Sequence, residues 1–184
     1  LADTLSHIAQ DFPQDNYSLG ALTRKFQSLY KEDRELEERM ALLVRAALEL
    51  TDKEAARWEM IAGRLYSTLY HFRLGERTRA LGITGYVSKM HHLNQEGLLA
   101  RQMLETYSDD DLKEAHSFIV PERDHLLPYS GLDLLVRRYV IHDRQHRGLE
   151  SIQEMYLNIA LFLAIPEKPE ARLSWVKRFY DMLS

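Results

Sequence analysis

Glu122 and His125 stand three residues apart, the Glu-x-x-His spacing that places a carboxylate and an imidazole on one face of a helix. A di-iron site in a four-helix bundle needs two such units and two further glutamates, because two metal ions need a symmetric shell. This chain offers the one spacing, directly after Pro121, where a turn is the plainer reading. His142 and His146 are four apart, a ligand spacing on a helix, but they lie among Arg137, Arg138, Arg144 and Arg147, whose charge repels a cation. His91 and His92 are neighbours and diverge on a helix. Residue types for a Ser-His-Asp triad exist without a strand-turn-helix setting for the nucleophile, and glycine-rich phosphate loops are absent. The sequence contains no cysteine, hence no thiolate nucleophile, no disulfide and no cysteine-ligated zinc. The arginines face Asp133, Asp143 and Glu150 in sequence, so intramolecular ion pairs are favoured over a bound anion or an acidic partner. No catalytic, cofactor-binding or metal-binding residue is therefore assigned.

The elements that would carry these residues read as helices throughout. Leu5, Ile8, Ala9 and Phe12 form a short stripe that Pro13 stops. Ser18 caps a helix bearing Leu22, Phe26 and Leu29, and the mixed-charge run 31–39 leads into Leu36, Met40, Leu43, Val44, Ala47 and Leu48. Thr51 and Glu54 have capping-box spacing ahead of Trp58, Ile61, Ala62, Leu65, Tyr66 and Leu69, read as core. Gly75, Gly82 and Gly85 mark the weakest pattern, which predicts a hinge between sub-bundles 1–74 and 86–184. Gly97 stops the next helix, and Ser108 with Asp109, Asp110 and Asp111 opens another that Pro121 ends. Leu132, Leu135, Val136 and Tyr139 form one buried stripe, and Met155, Ile159, Phe162 and Leu163 a second behind the capping box Ser151–Glu154. Val140 and Ile141 can at most start a short β-ribbon. A last helix from about Ala171 carries Leu173, Trp175, Val176, Phe179 and Tyr180, more apolar surface than one buried face needs, which predicts an exposed apolar patch on this helix, able to drive self-association and probed at Trp175. The expected fold is all-α, an irregular bundle of about eight to ten helices in a single domain spanning 1–184.

Several motifs, in order, carry a resemblance. Ile61-Ala62-Gly63-Arg64-Leu65, Pro121-Glu122-Arg123-Asp124, Arg138-Tyr139-Val140-Ile141, Glu150-Ser151-Ile152-Gln153-Glu154-Met155-Tyr156 and Lys177-Arg178-Phe179-Tyr180 with Leu183-Ser184 resemble the N-terminal helical region of the ribonucleotide reductase large subunit. Two positions depart from the family: proline is usual where Ile152 stands, and arginine is frequent where Asn158 stands. The resemblance implies a parent enzyme that reduces ribonucleoside diphosphates to deoxyribonucleotides by radical chemistry. It places the radical and redox cysteines in a barrel that begins after the Phe-Tyr-x-x-Leu-Ser helix, beyond Ser184. It further implies ATP and dNTP effectors, a homodimer, and a radical delivered by a metal-containing small subunit rather than by cobalamin. An ATP cone commonly precedes this region, and none is visible before Leu1. The present chain would then serve as a structural or relay segment packed on the barrel, without catalytic residues of its own.

Composition sets the remaining bounds. Of 184 residues, 45% are hydrophobic and 28% charged, which allows a full core. A net charge of -4 argues against a general nucleic-acid binder, and no apolar run approaches the roughly 18–20 residues of a membrane span. A cytoplasmic protein is expected. The residues by themselves fit equally a free-standing helical adaptor that binds a partner protein in its grooves. Sequence beyond Ser184, with a cysteine-bearing barrel or a stop codon, separates the two readings.

Overall fold

A computed structural model describes residues 16–30 and 34–184. The stripe Leu5 to Phe12 lies outside the described residues, as does the start of the charged run at 31–33. The described residues form nine α-helices and one 3-10 helix: α1 (Leu19–Leu29), α2 (Leu36–Leu48), α3 (Trp58–Ala80), α4 (Tyr86–Gln95), α5 (Gln102–Thr106), α6 (Asp109–His116), the 3-10 turn Pro121–Leu126, α7 (Tyr129–Arg138), α8 (Ile152–Leu163) and α9 (Pro169–Leu183). The β-structure among them is one antiparallel bridge, His142 to Gly148. The fold is all-α.

Two compact units divide the chain: residues up to Arg73 with Asp124–Leu135, and Leu74–Arg123 with Val136–Ser184. In the first, α1 and α2 pack together, and Leu22, Leu43, Val44, Ala46 and Ala47 form a core with Trp58, Ile61, Ala62, Leu65 and Leu69 of α3. Ser18 caps α1 by accepting the Ala21 N–H at 3.2 Å. Thr51 does not open α3. Asp52 instead accepts the N–H groups of Glu54 and Ala55 at 2.9 and 2.7 Å, which holds the chain in a turn until Trp58. Gly75 lies inside α3 rather than in the irregular connection, which is confined to Leu81–Gly85. Gly82, at φ 70°, ends α3 in the left-handed conformation that glycine tolerates best.

The second unit is built on α8 and α9, with α6 against both and α4 against α6. Its core joins Met90, Met103, Leu112 and Ala115 to Leu157, Ala160, Leu161, Ala164, Val176 and Tyr180. Both expected apolar faces here are corrected. Of the α8 stripe, Met155 is buried, but Ile159, Phe162 and Leu163 are 40, 52 and 47% exposed. The helix turned in its small-residue side instead, because Ala160 and Ala164 admit α9 at close range and Leu157 and Leu161 fill the flanks. Trp175 is not an exposed patch: it packs on the core, lies 5.6 Å from the Phe179 ring and is covered by the Arg178 guanidinium at 4.3 Å. Tyr139, placed in a buried stripe by spacing, is 61% exposed.

Gly63 touches backbone in the first unit. A Cβ there would meet Leu127 O at 2.8 Å, Tyr129 N at 3.0 Å and the Pro128 carbonyl carbon at 3.1 Å. Gly63→Ala should therefore cost about 1–3 kcal/mol, because backbone cannot yield as a side-chain end can. Gly75→Ala, whose Cβ would enter open space in the same helix, should be neutral or stabilising by up to about 1 kcal/mol. Urea midpoints of the two variants against the parent check the ordering.

Candidate functional site

The main concentration of buried polar groups is at the start of α8. Ser151 accepts the Glu154 N–H at 3.1 Å and Glu154 accepts the Ser151 N–H at 2.6 Å, so the predicted capping box is present. The same carboxylate receives the Lys89 ammonium of α4 on both oxygens, at 2.8 and 2.6 Å, and both side chains are at least nine-tenths buried. His116 of α6 approaches it to 4.0 Å and stacks on the Tyr86 ring with centroids 4.7 Å apart. Burial pushes the His116 imidazole below its usual range, opposed by Glu154 and reinforced by Lys89.

A second row runs beside this pair. Tyr86 donates its hydroxyl to Asn158 Oδ1 at 2.6 Å, Asn158 Nδ2 donates to Glu150 Oε2 at 2.5 Å, and the Ile141 N–H donates to Glu150 Oε1 at 2.8 Å. Burial pushes the Glu150 carboxyl up to about 7, against the two donors that favour its charge. Tyr86 is held well above the usual phenol range, by burial first and then by Glu154 and Glu150. On the adjoining face, Tyr180 donates to Gln153 Oε1 at 2.6 Å and accepts the Val120 N–H at 2.9 Å.

The basic loop is an ordered hairpin. Asp143 Oδ1 accepts the N–H groups of Gln145 and Arg147, each at 2.9 Å, and its Oδ2 accepts Arg147 Nε at 2.8 Å. Burial opposes the Asp143 charge, yet these donors outweigh it and hold the carboxyl below its usual range. Arg77 Nη1 donates to the Gly148 carbonyl at 2.6 Å. His142 bonds the Val136 carbonyl at 2.8 Å, and His146 is exposed at φ 58°, so the two do not form a ligand pair. Beside the hairpin is a cavity of about 230 Å³ with Leu81, Leu98 and Leu149 in its wall and His92, Arg144 and Arg147 among its polar groups.

Other sequence candidates fall apart as sites. In the 3-10 turn Glu122 is exposed, while Arg123 binds Asp181 at 2.9 Å, Ser184 and the Tyr180 ring face. Asp124 is 2% exposed and lies 3.5 Å from Ser67 Oγ and 3.3 Å from His71 Nε2. Serine, aspartate and histidine do meet here, but one carboxylate oxygen stands between the other two, so the imidazole is not placed to take the hydroxyl proton. His91 pairs with Asp109 at 2.8 Å. Among the described residues no three His, Asp or Glu side chains converge on a metal position. These contacts fasten helices to one another.

Residues 125–184 match the family described as "Ribonucleotide reductase, all-alpha domain". Over 180 residues, 98% of this chain, it is 43% identical to the ribonucleoside-diphosphate reductase subunit alpha of Treponema pallidum, and covers 21% of that protein. The chain belongs to the ribonucleotide reductase large-subunit family. Subunits alpha of Salmonella typhimurium and Helicobacter pylori are each 30% identical, over 77 and 80% of this chain and 18% of their own lengths. The chain thus spans about a fifth of these large subunits. The Pro-Glu-Arg-Asp motif, just ahead of the matched residues, and the Lys-Arg-Phe-Tyr motif within them have structural roles: Arg123 clamps the end of α9, and Tyr180 ties α9 to Gln153 and Val120.

Sequence reading missed Lys89, Gln153, Asn158 and the inward turn of Glu150. A signal existed for Lys89, which occupies a core position in the spacing Tyr86, Lys89, Met90, Leu93. Lys89→Met should cost about 3–5 kcal/mol, the expense of leaving the buried Glu154 carboxylate without its cation. Thermal unfolding at neutral pH measures it, and a loss below about 1 kcal/mol would show that the pair is solvated.

Proposed function

We propose that this chain is the helical, non-catalytic portion of a ribonucleoside-diphosphate reductase large subunit, and that it packs on the catalytic barrel and relays contacts between regulatory and catalytic parts. The carrying observation is the 43% identity across nearly the whole chain to a subunit of that name. The absence of any cysteine from the 184 residues supports a non-catalytic role, since radical chemistry of this kind runs through thiols supplied elsewhere in the polypeptide. In this reading ATP and dNTP effectors bind outside these residues. A metal-containing small subunit supplies the radical, and the complete protein works as a cytoplasmic homodimer. No helix among the described residues is long and apolar enough to cross a membrane.

The face offered to the barrel is the outer side of α8. Ile159, Phe162 and Leu163 are exposed there, and Phe162, Leu163, Ile165 and Pro166 line one shallow depression with Gln102. Three consecutive outward positions of large apolar type on one helix are more than solvent-facing helices usually leave wet. The purified chain should turn over no ribonucleoside diphosphate in a standard reductase assay with thiol reductant and small subunit; any turnover would refute the assignment of chemistry to the remainder of the protein. In the full-length protein, Phe162→Glu should weaken the hold of this segment, seen as faster limited proteolysis near residue 184 with the helical content of the segment retained. In the isolated chain the same substitution should abolish concentration-dependent light scattering, whereas Trp175→Glu should leave it in place.

A further inference from the structure

In the row Ile141, Glu150, Asn158, Tyr86 every hydrogen points towards Glu150: the Ile141 amide and Asn158 Nδ2 donate to its two oxygens, and Tyr86 donates to Asn158 Oδ1. An ionised carboxylate requires this direction, because it can only accept. A protonated acid carries one donor of its own. With Oε1 kept as the acceptor for Ile141, that donor sits on Oε2 and meets the donating Nδ2 of Asn158. The conflict disappears when the Asn158 amide turns over, so that Oδ1 accepts from Glu150 and Nδ2 donates to the Tyr86 oxygen. The phenol then changes from donor to acceptor.

We propose that Glu150 is a proton-operated latch: uptake of one proton by its carboxyl reverses the hydrogen-bond direction through Asn158 and Tyr86 and loosens the grip of α8 on the basic hairpin at Ile141. Three elements meet in the row, so one proton is felt by the hairpin, by α8 and by α4 together. The charged and titratable groups around it include Lys89 and Tyr86 on α4, His116 on α6 and Glu154 on α8, with Arg77 of α3 on the nearby Gly148 carbonyl. Lys89 lies on both oxygens of Glu154 and lowers the Glu150 carboxyl only as the last of the influences upon it, after the repulsion from Glu154. The carboxyl, pushed up to about 7 by burial, titrates where a cell can change its state.

The latch has two signatures of opposite sign. The folded carboxyl lies above its ordinary 4.5, so the stability it contributes is fully present below about pH 4.5 and is lost as pH rises through about 7. The hairpin behaves the other way, because the Ile141 N–H bonds a charged acceptor only at the upper end of that range, and charge-assisted bonds are roughly twice as strong. Nuclear magnetic resonance of the full chain between about pH 5 and 8 tests this. The Ile141 amide and the Asn158 side-chain amide should titrate together with one midpoint near 7, and exchange protection of Ile141, corrected for intrinsic rates, should rise on the order of five-fold with pH. The unfolding temperature should fall over the same interval. Glu150→Gln carries a permanent donor and should hold the reversed direction, abolishing the midpoint at both amides. Amide signals that do not move in the parent overturn the proposal, whether or not the variant folds. So does a midpoint that persists in Glu150→Gln, which would assign the titration to His116.

Discussion

One carboxylate, that of Glu154, holds the second unit to its geometry. It closes the capping box of α8, receives the buried Lys89 ammonium of α4 on both oxygens, and has the partly exposed His116 of α6 at 4.0 Å. A buried ion pair gains little over apolar packing in stability alone, since desolvation offsets most of its attraction. Its effect is directional: an ammonium that must reach two oxygens fixes how α4 and α8 approach in a way that leucine contacts would not. The Tyr86, Asn158 and Glu150 row repeats this constraint one turn along α8, and Tyr180 with Gln153 repeats it towards α9. Three polar ties on one helix leave it little freedom to rotate or slide.

That geometry explains why α8 buries small residues and leaves large ones outside. Once Gln153, Glu154 and Asn158 are committed to partners, the side bearing Leu157, Ala160, Leu161 and Ala164 is carried inwards, and α9 packs on it through Val176 and Tyr180. Ile159, Phe162 and Leu163 are then forced to the surface. In the proposed reading this apolar outer face is the surface that packs on the catalytic barrel. The hairpin of residues 139–150 is organised in the same manner, with Asp143 gathering two backbone amides and one guanidinium, and Arg77 holding the Gly148 carbonyl.

Local rules made much of this legible. The caps at Ser18, Ser108 and Ser151 stand where their side chains meet a free backbone N–H, and the stop at Gly97 stands where positive φ is needed. The core stripe from Trp58 to Leu69 was equally plain, because its periodicity has no competing face. The ordered motifs from Ile61 to Ser184 point to the reductase family without any geometry, and several of their residues, Arg123, Gln153 and Tyr180 among them, fasten helices to one another. Thr51 misled because Asp52, one residue on, bonds the same backbone more closely and delays the helix.

The sequence by itself determined the helical class, most helix ends and the absence of thiol chemistry from these residues, since each depends on neighbours in the chain or on composition. Tertiary structure alone decided which side of α8 was buried: the helix's own pattern turns Met155, Ile159, Phe162 and Leu163 inwards, and only partners on other elements let the side bearing Gln153, Glu154 and Asn158 be buried instead. It also decided the fates of Lys89, Glu150 and Asn158, whose partners lie 65, 9 and 72 residues away. A charge can be buried only where another element brings the group that satisfies it, and spacing along one chain carries no record of that meeting.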